Sequence, residues 1–138
     1  MGVDKFLGEW LEEKKEGFDD VADAIGLSGE KRAFFKNSRS QLTYTRDGDI
    51  WSLASGIFGF TRGITHSFRL GESFNTENID GTPLESLINT DGSRLIERHE
   101  SLGQKRYTMD IVREVNNNAM FATTTIEGVS MTVIYTRS

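Results

Sequence analysis

The sequence contains no cysteine, only two histidines and a single proline among 138 residues. Without cysteine there are no disulfide bonds and no thiol catalysis, and two histidines alone do not favour a zinc site. Long hydrophobic runs are also missing, since none approaches the ~18 residues that a membrane-spanning helix needs. The net charge of -5 does not favour a nucleic-acid-binding surface, because binding to phosphates requires clustered Lys and Arg side chains.

From Gln41 to the C-terminus, the chain consists of one short strand-like run after another. These runs are rich in β-branched and aromatic residues with period-2 character, which is typical of a pleated surface. Between them lie Gly, Asn and Asp, the residues that tight hairpin turns favour. The turn signals are Asp47-Gly48, Asp80-Gly81, Asp91-Gly92, Leu102-Gly103, Asn116-Asn117-Asn118 and Glu127-Gly128. The pattern predicts an all-β fold, a closed barrel of antiparallel strands.

The stretch from Gly17 to Lys36 predicts two short helices, which would form a lid over such a barrel. Gly26 is expected to end the first helix and Ser28 to cap the second. In the second helix we expect Ala33 and Phe34 to face inward. The apolar residues of the first helix recur at the spacing of one helix face; they are Phe18, Val21, Ala22 and Ile25. In the second helix we expect the cationic side chains to be exposed, namely Lys31, Arg32 and Lys36.

Length and composition favour one domain spanning residues 1–138. A chain of this size buries roughly two-thirds of its unfolded surface, which is enough for a core without disulfides or metals. The segment Met1-Gly2-Val3-Asp4-Lys5 lacks the apolar stretch of a secretory signal. We therefore expect a cytoplasmic protein, and we expect it to be a monomer.

Four segments of the chain, taken in order, resemble one known family. They are Phe6-Leu7-Gly8-Glu9-Trp10 with Gly17-Phe18-Asp19-Asp20, then Gly48-Asp49, then Leu70-Gly71-Glu72-Ser73-Phe74, and finally Gly128-Val129-Ser130-Met131-Thr132-Val133-Ile134-Tyr135. They are similar to the corresponding segments of the intracellular lipid-binding proteins, the group of fatty-acid-binding and cellular retinoid-binding proteins. Two residues depart from the family pattern, Glu12 in place of an aliphatic residue and a small Ala22. We expect both at the barrel surface or under a repacked lid.

The resemblance implies a ten-stranded antiparallel up-and-down barrel with a two-helix lid between the first two strands. It also implies reversible binding of one or two hydrophobic ligands inside the barrel, with no cofactor and no covalent step. In many family members an arginine on the eighth strand, an arginine on the last strand and a nearby tyrosine hold the ligand carboxylate. By position these residues correspond to Arg113, Val133 and Tyr135. Valine at 133 cannot donate a hydrogen bond.

The role of Arg113 has three open interpretations. A buried arginine requires an anion, and a ligand carboxylate is one candidate. If Leu95 faces inward, strand alternation also places Glu97 and His99 on the inner face within reach of Arg113, so a structural ion pair is the second. The third is an ordinary surface arginine. Tyr135 likewise either contacts a ligand carboxylate or forms part of the aromatic wall.

Ile57, Phe58 and Phe60 lie in a glycine-rich turn, about where family members keep a portal phenylalanine. Exposing large apolar side chains at a loop tip is unfavourable, so we expect the lid or a ligand to cover them. The alternative is ordinary packing against the second helix. Phe18 on the first helix is a further candidate ligand contact.

The favoured hypothesis is a carrier of long-chain fatty acids or related lipids, with the carboxylate near Arg113 and Tyr135. The alternatives are a carrier of retinoids or other isoprenoids, which the apolar position 133 favours, and a membrane-docking or protein-interaction module. The exposed lid cations would support transient contact with anionic membranes. An enzyme is not expected, because neither His66 nor His99 lies in a nucleophile motif.

Overall fold

Ten antiparallel strands form a single up-and-down sheet in a computed structural model, which describes residues 2–60, 63–78 and 81–137. A 3₁₀ helix (Gly2–Phe6) comes first. The elements that follow are β1 (Gly8–Glu16), α1 (Phe18–Ile25), α2 (Gly29–Asn37), β2 (Ser40–Asp47), β3 (Ile50–Ile57), β4 (Gly63–Phe68), β5 (Phe74–Glu77), β6 (Pro83–Thr90), β7 (Leu95–Ser101), β8 (Thr108–Asn116), β9 (Ala119–Ile126) and β10 (Val129–Arg137). The predicted all-β barrel with two helices between the first two strands is confirmed.

The sheet curls into a nearly closed barrel because its first and last strands pair. β1 lies between β2 and β10, so the strand order is β4-β3-β2-β1-β10-β9-β8-β7-β6-β5. Within the described residues no ladder joins β4 to β5. The rings of Phe68 and Phe74 stack with their centroids 5.1 Å apart across this gap, so side chains rather than backbone hydrogen bonds close the barrel there.

Most of the predicted turns connect strands as expected. Gly48 and Gly92 adopt φ values of 64° and 108°, and Asn117 and Glu127 adopt 58° and 49°. These left-handed conformations are the ones that Gly and Asn favour in tight hairpins. Asp80, half of another predicted turn signal, lies outside the described residues.

The predicted buried face is confirmed for α1 but not for α2. The predicted apolar face of α1 is buried, and the helix ends at Gly26, whose φ is 76°. In α2, Ala33 and Phe34 are exposed and Phe35 packs against the core, so the predicted inward face was wrong. Arg32, expected to be exposed, is half-buried.

Ion pairs between the two helices explain the orientation of α2. Arg32 donates hydrogen bonds to the carboxylates of Asp19 and Asp23 on α1. Turning Arg32 toward α1 brings Phe35, three residues later and therefore on nearly the same face, over the barrel. Ala33 and Phe34 consequently point away from the core.

A chain of aromatic rings fills one part of the interior. Phe6 contacts Tyr44, Tyr44 contacts Trp51, and Trp51 stacks on Phe68, with ring centroids 6.2 to 6.4 Å apart. Trp10, which is fully buried, donates its indole N–H to the carbonyl of Phe6 at 2.9 Å. This cluster packs the interior near β1 to β4 and leaves the polar residues described below on β5 to β8. None of the helices in the described part of the chain is long and apolar enough to cross a membrane.

Gly17→Ala is expected to destabilise the protein more than Gly29→Ala. Both glycines have positive φ, 85° and 65°, which costs an alanine about 1–2 kcal/mol. At Gly17 a Cβ would also collide with the backbone carbonyl of Ser130, whereas at Gly29 a Cβ would meet nothing within 4 Å. Urea denaturation of both variants measures the difference, and equal losses would show that the chain between β1 and α1 shifts freely away from β10.

Candidate ligand-binding site

A buried ion pair lies on the inner face of β7 and β8. Arg113 pairs in register with Leu95, and both side chains face inward because neighbouring strand residues share a face. Arg113 Nε donates to Glu97 Oε2 at 2.6 Å, and the two residues are only 8% and 3% exposed. The surface interpretation of Arg113 is therefore wrong, and the predicted reach from Glu97 to Arg113 is confirmed.

His99 extends this pair into a hydrogen-bonded chain across four strands. Its Nε2 lies 2.8 Å from Glu97 Oε1, and its Nδ1 lies 2.6 Å from Ser86 Oγ on β6. Ser86 Oγ is in turn 2.7 Å from Thr76 Oγ1 on β5. We call Thr76, Ser86, His99, Glu97 and Arg113 the polar chain. Thr76 and Ser86 were not predicted as site residues from the sequence, although the burial of Ser86 fits the strict alternation along β6.

Both members of the ion pair are charged. Burial alone would raise the pKa of Glu97, but the positive charge of Arg113 and the hydrogen bond from His99 outweigh it and leave that pKa below its usual range. Burial would lower the pKa of Arg113, and attraction to Glu97 raises it instead. Each charge therefore stabilises the other in a site where an unpaired charge would be strongly destabilising.

Two buried tyrosines border Arg113 from other strands. Burial raises the pKa of Tyr44 on β2 and of Tyr135 on β10, and the charge of Arg113 partly opposes both shifts. Among the described residues, Arg113 Nη1 and the hydroxyl of Tyr44 are buried and have no hydrogen-bond partner. A buried polar atom without a partner is destabilising. Both atoms lie on the inner side of the barrel near the Arg113–Glu97 ion pair.

Strand register places position 133 beside this cluster but gives it no polar function. Arg113 pairs with Ala122, Ala122 with Val133, and Val133 with Lys15 on β1. Val133 is buried in this row of paired residues. Position 133 therefore faces inward but supplies no second arginine beside Arg113. Lys15 Nζ, at the end of the row, instead donates to the carbonyl of Phe35 at 2.6 Å.

Lys15 and Glu12 form a second ion pair beneath the lid, in which Glu12 is buried and Lys15 is partly buried. Lys15 Nζ lies 3.1 Å from Glu12 Oε2, and Glu12 Oε1 accepts hydrogen bonds from the backbone N–H and the hydroxyl of Ser40. Glu12 is buried, as is Ala22 in α1. Of the two expected locations, the exposed barrel surface is wrong for both residues: Glu12 is buried beside Lys15 and Ser40, and Ala22 is buried on the inner side of α1 itself.

Phe18 and the ammonium group of Lys15 contact each other at the inner side of the lid. The Phe18 side chain is buried on α1, with Lys15 Nζ 5.3 Å from the centroid of its ring. A cation over an aromatic face is an attractive arrangement. Phe18 therefore belongs to the layer between α1 and the barrel interior.

Phe58 and Phe60 lie at a groove between α2 and the end of β3. They are 53% and 61% exposed. Phe60 meets Phe34 of α2 edge to face at 5.6 Å, and the guanidinium of Arg39 lies 5.7 Å from the centroid of Phe58. The groove has a volume of about 670 Å³ and is lined by Glu30, Ala33, Phe34, Asn37, Ser38, Arg39, Ile57, Phe58 and Phe60. Packing against the second helix is thus real for Phe60, but it leaves both rings largely exposed.

Comparison with known proteins identifies the family. No protein-family model matches the chain. The intestinal fatty acid-binding protein of Mus musculus is 30% identical to it over 125 residues, which cover 90% of this chain and 92% of that protein. The chain belongs to the intracellular lipid-binding protein family. The fatty acid-binding protein of Schistosoma japonicum is 27% identical over 136 residues, 98% of this chain and 99% of that protein.

A solved structure of this family matches the barrel over its full length. The Schistosoma mansoni fatty acid binding protein in complex with arachidonic acid is 27% identical, with a TM-score of 0.89, and the match covers 100% of this chain and 99% of that chain. The resemblance drawn from the four sequence segments is confirmed. The roles of Arg113, Val133 and Tyr135, which that resemblance implied, stay predictions.

Proposed function

We propose that this intracellular lipid-binding protein binds long-chain fatty acids non-covalently inside the barrel and carries them through the cytoplasm. The polar head group lies at Arg113, between Tyr135 and Tyr44, and the hydrocarbon tail fills the remaining interior. The observation that carries the proposal is Arg113 Nη1, a buried donor of a charged group that lacks a hydrogen-bond partner among the described residues. The relatives that are named fatty acid-binding proteins support the ligand class.

The tail supplies most of the affinity in this proposal, and the head group sets the orientation. Burying a methylene group contributes about 0.8 kcal/mol, so a long acyl chain contributes on the order of 10 kcal/mol before the entropic costs of binding. A hydrogen bond to a charged group adds only about 1.5–3 kcal/mol. Binding by a protein with Val133 in place of a second arginine is therefore reasonable, and lipids with other head groups compete.

The groove at Phe58 and Phe60 is the route by which the ligand passes between solvent and interior. Its exposed rings offer an apolar surface to a tail on the way in. We propose a monomer that touches anionic membranes transiently through this side of the lid. On α2, however, Arg32 and Lys36 pair with carboxylates of α1, so the cationic attraction of the lid is weaker than its sequence indicates. A pure membrane-docking module is accordingly less well supported than a carrier.

We propose binding rather than catalysis for this protein. Ser86, His99 and Glu97 are hydrogen-bonded in the order of a serine–histidine–carboxylate triad, but the Ser86 side chain is buried and its hydroxyl also lies 2.7 Å from Thr76 Oγ1, which favours a structural role. Val133 favours a retinoid or another isoprenoid without a carboxylate as the second candidate ligand. A titration with a fatty acid and a retinoid distinguishes the two candidate ligand classes.

The purified, delipidated protein is expected to bind oleate in native mass spectrometry and in a fluorescent-probe displacement titration. Arg113→Ala should weaken oleate binding by about 10- to 150-fold, because one hydrogen bond to a charged group, worth about 1.5–3 kcal/mol, is lost. Arg98→Ala removes an exposed arginine of β7 and should leave binding unchanged. Retinol is the competing ligand in the same titration. A barrel that refuses oleate but binds retinol would replace the fatty-acid proposal with the second candidate, and one that refuses both would overturn the carrier function.

A further inference from the structure

The hydroxyl of Tyr44 is a buried polar group that the packing of the interior does not use. Tyr44 is 1% exposed, and its hydroxyl has no hydrogen-bond partner among the described residues. Burying a donor without a partner is unfavourable, and a phenylalanine ring would fill the same space without that cost. Packing alone therefore does not account for a tyrosine at this position.

Aromatic neighbours hold the Tyr44 ring in place. The ring meets those of Phe6 and Trp51 edge to face, with centroids 6.2 and 6.4 Å apart. Tyr44 lies on the inner face of β2, where burial alternates along the strand and Leu42 is the preceding buried residue. Because a closely packed ring occupies a single rotamer on average, the hydroxyl has a defined position inside the barrel.

The Tyr44 hydroxyl and the Arg113 guanidinium approach each other across the interior. In the strand order, β1, β10 and β9 separate β2 from β8, so the two side chains come together only inside the barrel. Burial raises the pKa of Tyr44, and the charge of Arg113 partly opposes this rise, so the phenol is within electrostatic reach of the guanidinium. Arg113 Nη1 is also buried and without a partner among the described residues. Two unpaired polar atoms from separate strands thus lie in the same part of the interior.

Both of these atoms can act as hydrogen-bond donors, and acceptors are scarce around them. A guanidinium only donates, and a phenol carries one hydrogen. The carboxylate of Glu97 already uses Oε2 for Arg113 and Oε1 for His99. Val133, on the same inner surface, has no polar side-chain atom. This arrangement suits a head group that has two acceptor oxygens and no hydrogen of its own.

We propose that Tyr44 determines head-group specificity: its hydroxyl donates to one oxygen of a fatty acid carboxylate while Arg113 Nη1 donates to the other. The inference rests on the proposed function. Hydrogen bonds to the ionised carboxylate favour its charge and so oppose the repulsion from Glu97. A fatty alcohol has one oxygen and adds a hydrogen that itself needs an acceptor. The two donors therefore select a carboxylate over an alcohol of the same chain length.

Tyr44→Phe removes the hydroxyl and keeps the ring. In calorimetric titrations of the delipidated protein, the dissociation constant of oleate should rise about 10- to 150-fold, because one hydrogen bond to a charged group is lost. The dissociation constant of oleyl alcohol should rise no more than about fivefold, since hydrogen bonds between neutral groups are weaker. Carbon-13 NMR of carboxyl-labelled oleate should show a higher pKa for the ligand bound to Tyr44→Phe than for the ligand bound to the wild type.

Tyr107→Phe is the matched control, because the hydroxyl of this buried tyrosine accepts a hydrogen bond from Asn78 Nδ2 at 2.6 Å. Its substitution should lower the free energy of unfolding and leave oleate affinity unchanged. Tyr44→Phe should show the opposite pattern, with weaker oleate binding and no loss of stability in the delipidated protein. Urea denaturation of both variants supplies the stability comparison.

Three results would overturn the inference while leaving the proposed function intact. They are unchanged oleate affinity in Tyr44→Phe, equal losses of affinity for oleate and oleyl alcohol, and a loss of stability as large as that of Tyr107→Phe, which would assign the hydroxyl a structural role. Failure of the wild-type protein to bind oleate would instead overturn the proposed function.

Discussion

Arg113→Leu is expected to lower the free energy of unfolding by about 3–5 kcal/mol, because it leaves the carboxylate of Glu97 buried without its cation. Glu97 is 3% exposed, and among the described residues it would retain only the hydrogen bond from His99. Urea denaturation monitored by tryptophan fluorescence measures the loss. In the double variant Arg113→Leu/Glu97→Leu much of the stability should return, since an apolar pair of similar volume removes both desolvation penalties.

The same variant should reverse the effect of pH on stability. In the wild type the pKa of folded Glu97 lies below that of an unfolded glutamate, so the pair contributes fully at neutral pH. Its contribution is lost as pH falls below about 4.3, the value of a free glutamate. Without Arg113, burial raises that pKa, and Arg113→Leu should gain stability on mild acidification. If Arg113→Leu were as stable as the double variant at pH 7, the Glu97 carboxylate would have found another hydrogen-bond donor or water in place of Arg113, which would contradict the prediction.

Lys15→Met is expected to cost about 3 kcal/mol, because Glu12 then lacks its cation beneath the lid. The change also removes the donor to the carbonyls of Phe35 and Ser38, at 2.6 and 3.2 Å, which tie the end of α2 to β1. Amide hydrogen exchange should therefore accelerate most in α2. Urea denaturation gives the global loss and mass-detected exchange gives its location.

Lys14→Met is the matched control for this prediction. Lys14 is the neighbouring lysine of β1, and it pairs with Glu16 at the exposed surface, where an ion pair contributes little. Its substitution should change neither stability nor exchange. The double variant Glu12→Leu/Lys15→Met should recover most of the stability but not the slow exchange of α2, since the lysine ammonium is still absent. Equal exchange in the wild type and Lys15→Met would contradict a tether of the lid by Lys15.

The strands and one side of the site were predictable because β-sheet alternation is local. With Leu95 inward, Glu97 and His99 had to face inward, and the structure places Glu97 against Arg113 and His99 against Glu97. Sequence spacing could not decide which anion Arg113 would meet. That depends on the distance between two side chains on neighbouring strands, which the ladder of β7 and β8 fixes.

Two other features could not be predicted from the sequence, for physical reasons. A β-bulge between Glu12 and Lys14 breaks the alternation of β1, so Lys15 lies on the inner face where a regular strand would point it outward. In α2, ion pairs from Arg32 to α1 rotate the helix and expose Phe34. Both features arise from contacts between elements, which helix and strand periods do not encode.

A crystal structure of the protein with bound oleate tests the central claim most directly. We expect a carboxylate oxygen about 3 Å from Nη1 of Arg113, the length of a charged hydrogen bond, with the tail inside the barrel. Arg113 should keep its contact with Glu97. A carboxylate at the groove near Arg39, with Nη1 of Arg113 still without a partner, would contradict the assignment of the head-group site.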